Sequence, residues 1–480
     1  MATTEPEQQI SLKLVVIKER NKVVFAEAEK DFVDVLISLL TLPLGTIVRL
    51  VREESNMQPI EVGSLTSLYR SVENPDKEFL STDSCKQMIL RPKNSMERYC
   101  KRLKLKMDDT EPTEYFVCNN LVNCRSKSPI LISMFKNRRC RCGKMLDKPI
   151  SHESSSFIDG FVKDDDTFFI TDDLKVVPNS LNAFFDLFKS CGIESPSSVN
   201  KMTVTITKNQ VIDLLKSCLN STMTLTGLFL EKPSIEKYRK VEFPPFDVNE
   251  NDSFKINVKI VQRKSNGKIV FAHGKEDFAD FLISLLRIPL GGVVHLMEGF
   301  SCMYKSILNL DQNYWTADNV KNKLVDPGLV PQFLVSNKLF PIFGSKYFCC
   351  TEIKYSTFIY GAGTDPYLTA CFLTPRHGKS VRGFTDVEFV DPILNRKNCK
   401  NIVKGPTMYM ATDDLVVTPM TATSVISLLA TMSIPFSDLE EKEFSIGIKE
   451  AVGILQASLT SKSALTTALC HLLTQIKQEN

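Results

Sequence analysis

The segment FAEAEKDFVDVLISLLTLPLGTIVRL, residues 25–50, returns as FAHGKEDFADFLISLLRIPLGGVVHL at 271–296. Aligned without a gap from Lys22 to Leu50 against Lys268 to Leu296, 17 of 29 positions are identical. A match of that density is repetition rather than shared composition. It constrains the chain more than any other feature, because a fold that accommodates one copy must accommodate both. Shorter echoes follow in the same order. SLYRSV (67–72) returns as CMYKSI (302–307), and EYFVC, ending at Cys118, as KYFCC, ending at Cys350. ITDDLKVVP (170–178) returns as ATDDLVVTP (411–419), and VTITKNQVIDLL (204–215) as SIGIKEAVGILQ (445–456). Two related domains are expected, 10–230 and 254–480. The prolines and charges of 231–253 suit a linker. A chain of 480 residues is long enough for two cores.

Each half opens with two strand-like runs around a short polar turn. In the second, Asn266-Gly267 is a favoured hairpin pair. The following DFVDVLISLL suits a helix, with Phe32, Val35, Leu36, Leu39 and Leu40 at three- and four-residue spacing. Val33 and Ile37 widen its apolar face, so burial on more than one side is expected. Pro43 and Gly45 should stop this helix and begin a turn. Asp31 and Asp34, repeated as Asp277 and Asp280, read as solvent-side or capping residues. Near the end of each half, TDD precedes a short strand, a proline, and Ser180 or Thr421 placed to cap helices at 181–190 and 424–432. Hairpins mixed with helices, without a steady βαβ rhythm, point to an α+β fold.

The best chemical constellation is Cys118, Cys124, Cys140 and Cys142, spaced C-x5-C-x15-C-x-C. Four thiolates match a closed structural zinc site, and four leave no open position for catalysis. Neighbouring cations (CRSK, FKNRRCRCGK) would offset the charge of such a centre. Unligated cysteines in a basic loop are the alternative. Cys118 is echoed by Cys350, but YSTFIYGAG follows and the second half has no C-x-C pair, so a metal would serve the first half only. Thr171-Asp172-Asp173 and Thr412-Asp413-Asp414 offer paired carboxylates. Adjacent strand residues point to opposite faces, so a turn in which Asp accepts backbone N–H groups fits better than a shared ion.

Other chemistries lack support. None of the five histidines has a counterpart in the other half, and no G-x-S-x-G elbow, dinucleotide fingerprint or phosphate loop is present. The net charge of +3, from 59 basic and 56 acidic residues, argues against attraction of nucleic acid or anionic membrane by the chain as a whole. Protein partners are therefore expected, with nucleic acid and membrane disfavoured; the basic loop KNRRCRCGK, 136–144, could touch phosphate or RNA, and a solvated loop is its simpler reading. The start MATTEPEQQ lacks the pattern of a signal or transit peptide and the apolar runs are too short to span a bilayer, so intracellular residence is the expectation.

The pattern K-x-x-F-A-E-A-x-K-D-F-V-D-x-L-x-S-x-L-x-x-P-L-G, Lys22 to Gly45, resembles the opening of a plant family known as DUF674, a domain of unknown function. The YFVC and CRCGKM segments within 115–145 and ITDDLKVVPNS at 170–180 look like its later landmarks. The resemblance covers both halves and implies a plant source and two tandem copies. It brings no substrate, cofactor or catalytic residue. Taken together, these features favour a non-enzymatic interaction or scaffold protein with a structural zinc in the first domain. An enzyme using a cleft between the halves is the rival.

Overall fold

Two antiparallel five-stranded sheets organise the protein, seen in a computed structural model. It describes residues 8–53, 61–74, 79–119, 130–150, 159–218, 223–230, 254–296, 302–317, 320–325, 339–340, 348–350, 371–373, 387–390, 401–405 and 407–475. Cys124, the linker 231–253 and the glycine cluster at 360–365 lie outside them. The first half runs β1 (Ile10–Ile17), β2 (Lys22–Glu29), α1 (Lys30–Thr41), α2 (Leu44–Glu53), α3 (Leu65–Glu73), α4 (Asp83–Leu90) and α5 (Glu97–Cys100). It continues through β3 (Tyr115–Cys118), β4 (Ile130–Ser133), β5 (Arg138–Arg139), β6 (Met145–Ile150), β7 (Thr167–Thr171), β8 (Val176–Pro178), α6 (Leu181–Ser190), β9 (Val199–Ile206), α7 (Lys208–Cys218) and α8 (Thr224–Phe229).

The second half opens with β10 (Ile256–Arg263), β11 (Ile269–Gly274), α9 (Glu276–Ser284), α10 (Leu290–Leu296), α11 (Cys302–Asn309) and α12 (Val320–Val325). After β12 (Phe348–Cys350), β13 (Cys371–Leu373) and β14 (Val387–Phe389) come β15 (Tyr409–Thr412), β16 (Val417–Pro419), α13 (Ala422–Thr431), β17 (Leu439–Ile446), α14 (Ile448–Thr460) and α15 (Ala464–Gln475). The expected α+β class is observed.

The two main sheets have the same strand order, β8-β7-β2-β1-β9 and β16-β15-β11-β10-β17. Both opening hairpins slip register at matching places, between Val15 and Val16 and between Val261 and Gln262. Both turn through a left-handed residue. Gly267 supplies it at φ +70° in one, and Asn21, of a type that tolerates this region, at φ +44° in the other. Ser180 and Thr421 cap α6 and α13 as expected, accepting from the backbone N–H of Ala183 and Ser424 at 3.2 and 3.0 Å. These helices cover the outer faces of the sheets. Phe184, Leu187 and Phe188 pack on Val15, Phe25 and Phe169, while Val425, Leu428 and Leu429 pack on Val261, Phe271 and Met410.

The inner faces join one continuous core containing Leu12, Phe32 and Leu36 from one half and Ile260, Phe278 and Leu282 from the other. The repeated phrase lies at their meeting point. Pro43 bridges Pro289, and on either side the N–H of Leu44 donates to Ile288 while that of Leu290 donates to Leu42, both at 2.9 Å. Gly45 was expected to begin a turn, but it and its counterpart Gly291 each sit inside the next helix. The reason is space. A Cβ on Gly45 would lie 3.0 Å from the Leu286 carbonyl oxygen, and one on Gly291 would lie 3.0 Å from that of Leu40. The helix stop is confined to Leu42-Pro43, and Pro43 accepts from Ile47 to begin α2.

A second pair of crossings is reciprocal in the same way. Leu80 bridges Val403, with Ser81 donating to Ile402 at 2.8 Å and Lys404 to Phe79 at 2.8 Å. Val162 bridges Trp315, with Thr316 donating to Phe161 and Lys163 to Tyr314, both at 3.0 Å. Here two aspartates depart from expectation. Asp31 is half-buried and pairs with Lys104, but Asp34 and Asp280 are buried, 1% and 5% exposed. Asp34 Oδ1 accepts from the N–H groups of Phe161 and Val162 at 2.8 and 3.0 Å. Asp280 accepts from Ile402 on Oδ2 and Val403 on Oδ1, both at 3.0 Å. Each carboxyl holds the peptide that crosses to the other half. Helical spacing marks both as inward-facing only once Val33 and Ile37 are recognised as core, because α1 is then buried nearly all round.

Candidate functional site

The cysteine segment forms a third sheet, ordered β14-β4-β3-β6-β5. Cys118 ends β3. The chain returns through β5 to Cys140, where a tight turn brings Cys142 back over it. The Cys140 N–H donates to Lys144 at 2.7 Å and the Gly143 N–H to Cys140 at 2.9 Å, and Gly143 supplies the left-handed residue at φ +84°. The Sγ atoms of Cys118, Cys140 and Cys142 consequently lie within 4.8 Å of one another.

Cys118 and Cys142 Sγ are 3.4 Å apart, too far for a disulfide. Tetrahedral zinc with bonds of about 2.3 Å would hold its sulfur ligands about 3.8 Å apart. Three thiols at this spacing fit that ion. Cys118 and Cys140 are buried beside Phe116, Leu146 and Val390, and Cys142 is exposed at the rim. The structure therefore brings together three of the four predicted ligands, and the fourth, Cys124, lies outside the described residues. Cations crowd the same sheet. Lys136 Nζ stands 5.3 Å over the Phe116 ring, and Arg138 stands 5.5 Å over Phe135 while donating to Ser84 at 3.0 Å.

The TDD aspartates lie in the turns after β7 and β15 and diverge there. Asp172 accepts from Thr226 N–H on Oδ1 and Thr226 Oγ1 on Oδ2, both at 2.8 Å, closing the first turn of α8. Thr226 Oγ1 in turn accepts from Val23 N–H at 2.9 Å. Asp413, Thr466 and Ile269 repeat the relay at 2.7, 2.9 and 3.0 Å. The second aspartates, Asp173 and Asp414, accept instead from Thr171 and Thr412 hydroxyls. Burial pushes the Asp172 and Asp413 carboxyls upward, against the pull of the Thr bonds. Leu174 and Leu415 follow at φ +62° and +66°, a costly conformation for leucine that their buried positions hold in place.

Neither pair converges on an ion, and both serve as structural turns. Thr226→Val is expected to lower stability by about 2 kcal/mol, since it strands a buried carboxylate oxygen and a strand N–H. Urea unfolding measures this, and a loss below about 0.5 kcal/mol would remove the relay from the account.

One polar group was not foreseen. His273 Nε2 lies 2.9 Å from Glu441, whose other oxygen accepts from Lys259 at 3.0 Å. His273 and Lys259 are register partners on neighbouring strands, but Glu441 comes from β17, 168 residues after His273, so no local signal announces the contact. Phe271 and Met410 adjoin it on the covered outer face, and among the described residues no Ser or Cys is bonded to the imidazole.

With this geometry established, comparison with family models finds DUF674, a protein of unknown function, matching residues 6–449. The chain belongs to the DUF674 family. The matched span runs through both halves, the cysteine sheet and both TDD turns. No curated protein and no solved structure matches the chain. No helix among the described residues is long and apolar enough to cross a membrane.

Proposed function

We propose that this DUF674 protein is a non-enzymatic interaction module, built by duplication into an internal dimer and carrying a structural zinc on its first half. The reciprocal Pro43–Pro289 crossing carries this reading. Equivalent residues meet each other there, as in an isologous interface between two copies of one domain. A plant source and tandem copies are consistent with the DUF674 resemblance. The rival enzyme needs an open cleft between the halves. Among the described residues that meeting place is filled by Leu40, Leu44, Leu286 and Leu290, and the TDD carboxylates proposed for it are bonded to Thr226 and Thr466.

Cys118, Cys140 and Cys142 would bind zinc, with Cys124 as the fourth thiolate assigned from sequence spacing. The ion would staple β3 to the β5–β6 turn, a role that needs no exchangeable position. Protein purified without chelator is expected to hold about one zinc per chain. Cys140→Ser should abolish binding and lower the unfolding midpoint, while Cys302→Ser, at an exposed cysteine elsewhere, should change neither. Zinc below about 0.1 per chain in the wild type would overturn the metal assignment and leave the duplication untouched.

A further inference from the structure

The near balance of charge conceals a separation along the chain. From Lys86 to Lys106 there are eight basic residues and one acid, Glu97; from Lys136 to Lys148 there are six and one, Asp147. These two runs hold fourteen of the 59 basic residues and two of the 56 acidic ones, so the rest of the chain is net acidic. A chain-wide total therefore misses what a local surface presents.

The two runs approach each other at one hydrogen bond. Arg138 on β5 donates to Ser84 in the first turn of α4, two residues before Lys86. Lys136, Arg139, Arg141 and Lys144 are exposed around the cysteine turn, and Arg91, Arg98, Lys101, Arg102 and Lys106 are exposed along the other run. Of the acids bordering the runs, Asp83 and Asp109 are exposed, and Asp109 pairs with Arg49. Asp147 accepts from Asn119, Glu97 from Thr113, and Asp31 pairs with Lys104. Three of the six cations on the hairpin are arginines, whose planar forks suit phosphate oxygens.

We propose that this basic surface binds the phosphodiester backbone of nucleic acid, without reading the bases. It deepens the interaction reading above by naming the partner class, and it does not depend on the zinc assignment. An anionic membrane is the weaker fit. Met145 is the one large apolar side chain clearly exposed among the described residues of both runs, so there is no apolar face to insert.

The test uses the full-length protein and fluorescence anisotropy with labelled oligo-uridine of about 20 nucleotides and a duplex of equal length. Affinity for the single strand should fall with salt, with a log–log slope of about −3 if four phosphates are contacted. The variant Arg139→Glu, Arg141→Glu, Lys144→Glu should weaken binding at least about tenfold at low salt. Lys101→Glu, Arg102→Glu, Lys106→Glu should do likewise, and serves if the first variant loses its fold or its zinc. Lys189→Glu with Lys201→Glu, exposed elsewhere, should leave affinity unchanged. Preference between the two oligomers assigns single- or double-stranded nucleic acid as the partner. Absence of binding to both, equal binding by the reversed and wild-type chains, or binding only to phosphatidylserine vesicles or polyglutamate would overturn the proposal. Such failure, with zinc still present, would leave the metal centre standing.

Discussion

Residues 1–230 expressed alone are expected not to form a stable monomer. Separating the halves removes the partner of the Leu44 N–H, of the Leu42 carbonyl, of Ser81 and Phe79, and of Phe161 and Lys163. The Val176 N–H loses Ser306 Oγ, which lies 2.8 Å away on α11. The apolar loss is larger. Leu40, Leu42, Leu44, Leu80, Phe161 and Val162 are all buried at or beside these crossings. Full exposure of these six, the upper limit, would cost about 9–18 kcal/mol at ~1.5–3 kcal/mol each. That limit is comparable to the ~5–15 kcal/mol by which an entire domain is usually stable.

The isolated half should therefore aggregate, or pair with a second copy through the Pro43 crossing. Co-expressed as separate chains, 1–240 and 241–480 should copurify. Light scattering after size exclusion, with thermal unfolding, decides the matter. A monomeric first half with a cooperative melt near that of the whole chain would show that the crossings contribute little.

This expectation also explains what was legible beforehand. The hairpins, the long first helix and the Ser180 and Thr421 caps depend on neighbours a few residues away, so turn chemistry and periodicity revealed them. Gly45 does not mark a turn because the reasons for it are distant in sequence, at the Ile89 and Leu286 carbonyls, each 3.0 Å from where a Cβ would stand. Locally, a glycine after Leu42-Pro43 reads as a turn. In the fold it lets the start of α2 approach the end of the helical stretch that follows α9. The repeated phrase itself was informative about scaffold but silent on its special task. Residues that must fit both the sheet beneath and their own counterparts across a two-fold contact are constrained twice.

At the cysteine site, spacing found Cys118, Cys140 and Cys142 because zinc chemistry restricts residue type. The His273–Glu441 contact had no such signature. Charge was legible only in pieces. The cations around the cysteines stand out in the sequence, whereas the 86–106 run gains meaning only where the Arg138–Ser84 hydrogen bond brings α4 to that sheet.

The buried aspartates supply the second large effect, and the two should respond differently to the same change. Burial pushes both Asp34 and Asp280 up to about 7, opposed by the paired backbone N–H groups. Lys30 also opposes at Asp34, with Asp159 adding to the rise. Arg287 opposes at Asp280, with Asp277 adding. The folded protein thus holds these protons more tightly than the unfolded chain. Their contribution is fully present below the ordinary carboxyl value of 3.8 and is lost as pH rises towards about 7. The interval corresponds to roughly 4 kcal/mol per carboxyl as an order of magnitude.

An asparagine cannot ionise, so Asp34→Asn should flatten part of this decline. Asp34 Oδ1 already accepts both N–H groups, and an amide oxygen can do the same, so the variant is expected to match or exceed the wild type above about pH 7. Asp280 divides its bonds, one to each oxygen. An amide there must set its NH2 against the N–H of Ile402 or Val403, leaving that donor buried and unmet at a cost of about 1–3 kcal/mol. Asp280→Asn should therefore remove the same pH dependence yet be less stable than Asp34→Asn throughout. Urea unfolding from about pH 5 to about pH 8 measures both slopes. Parallel wild-type and variant curves would mean that these carboxyls keep an ordinary proton affinity. Equal stability of the two variants would mean that the divided bonds at Asp280 do not hold the 402–403 crossing in place.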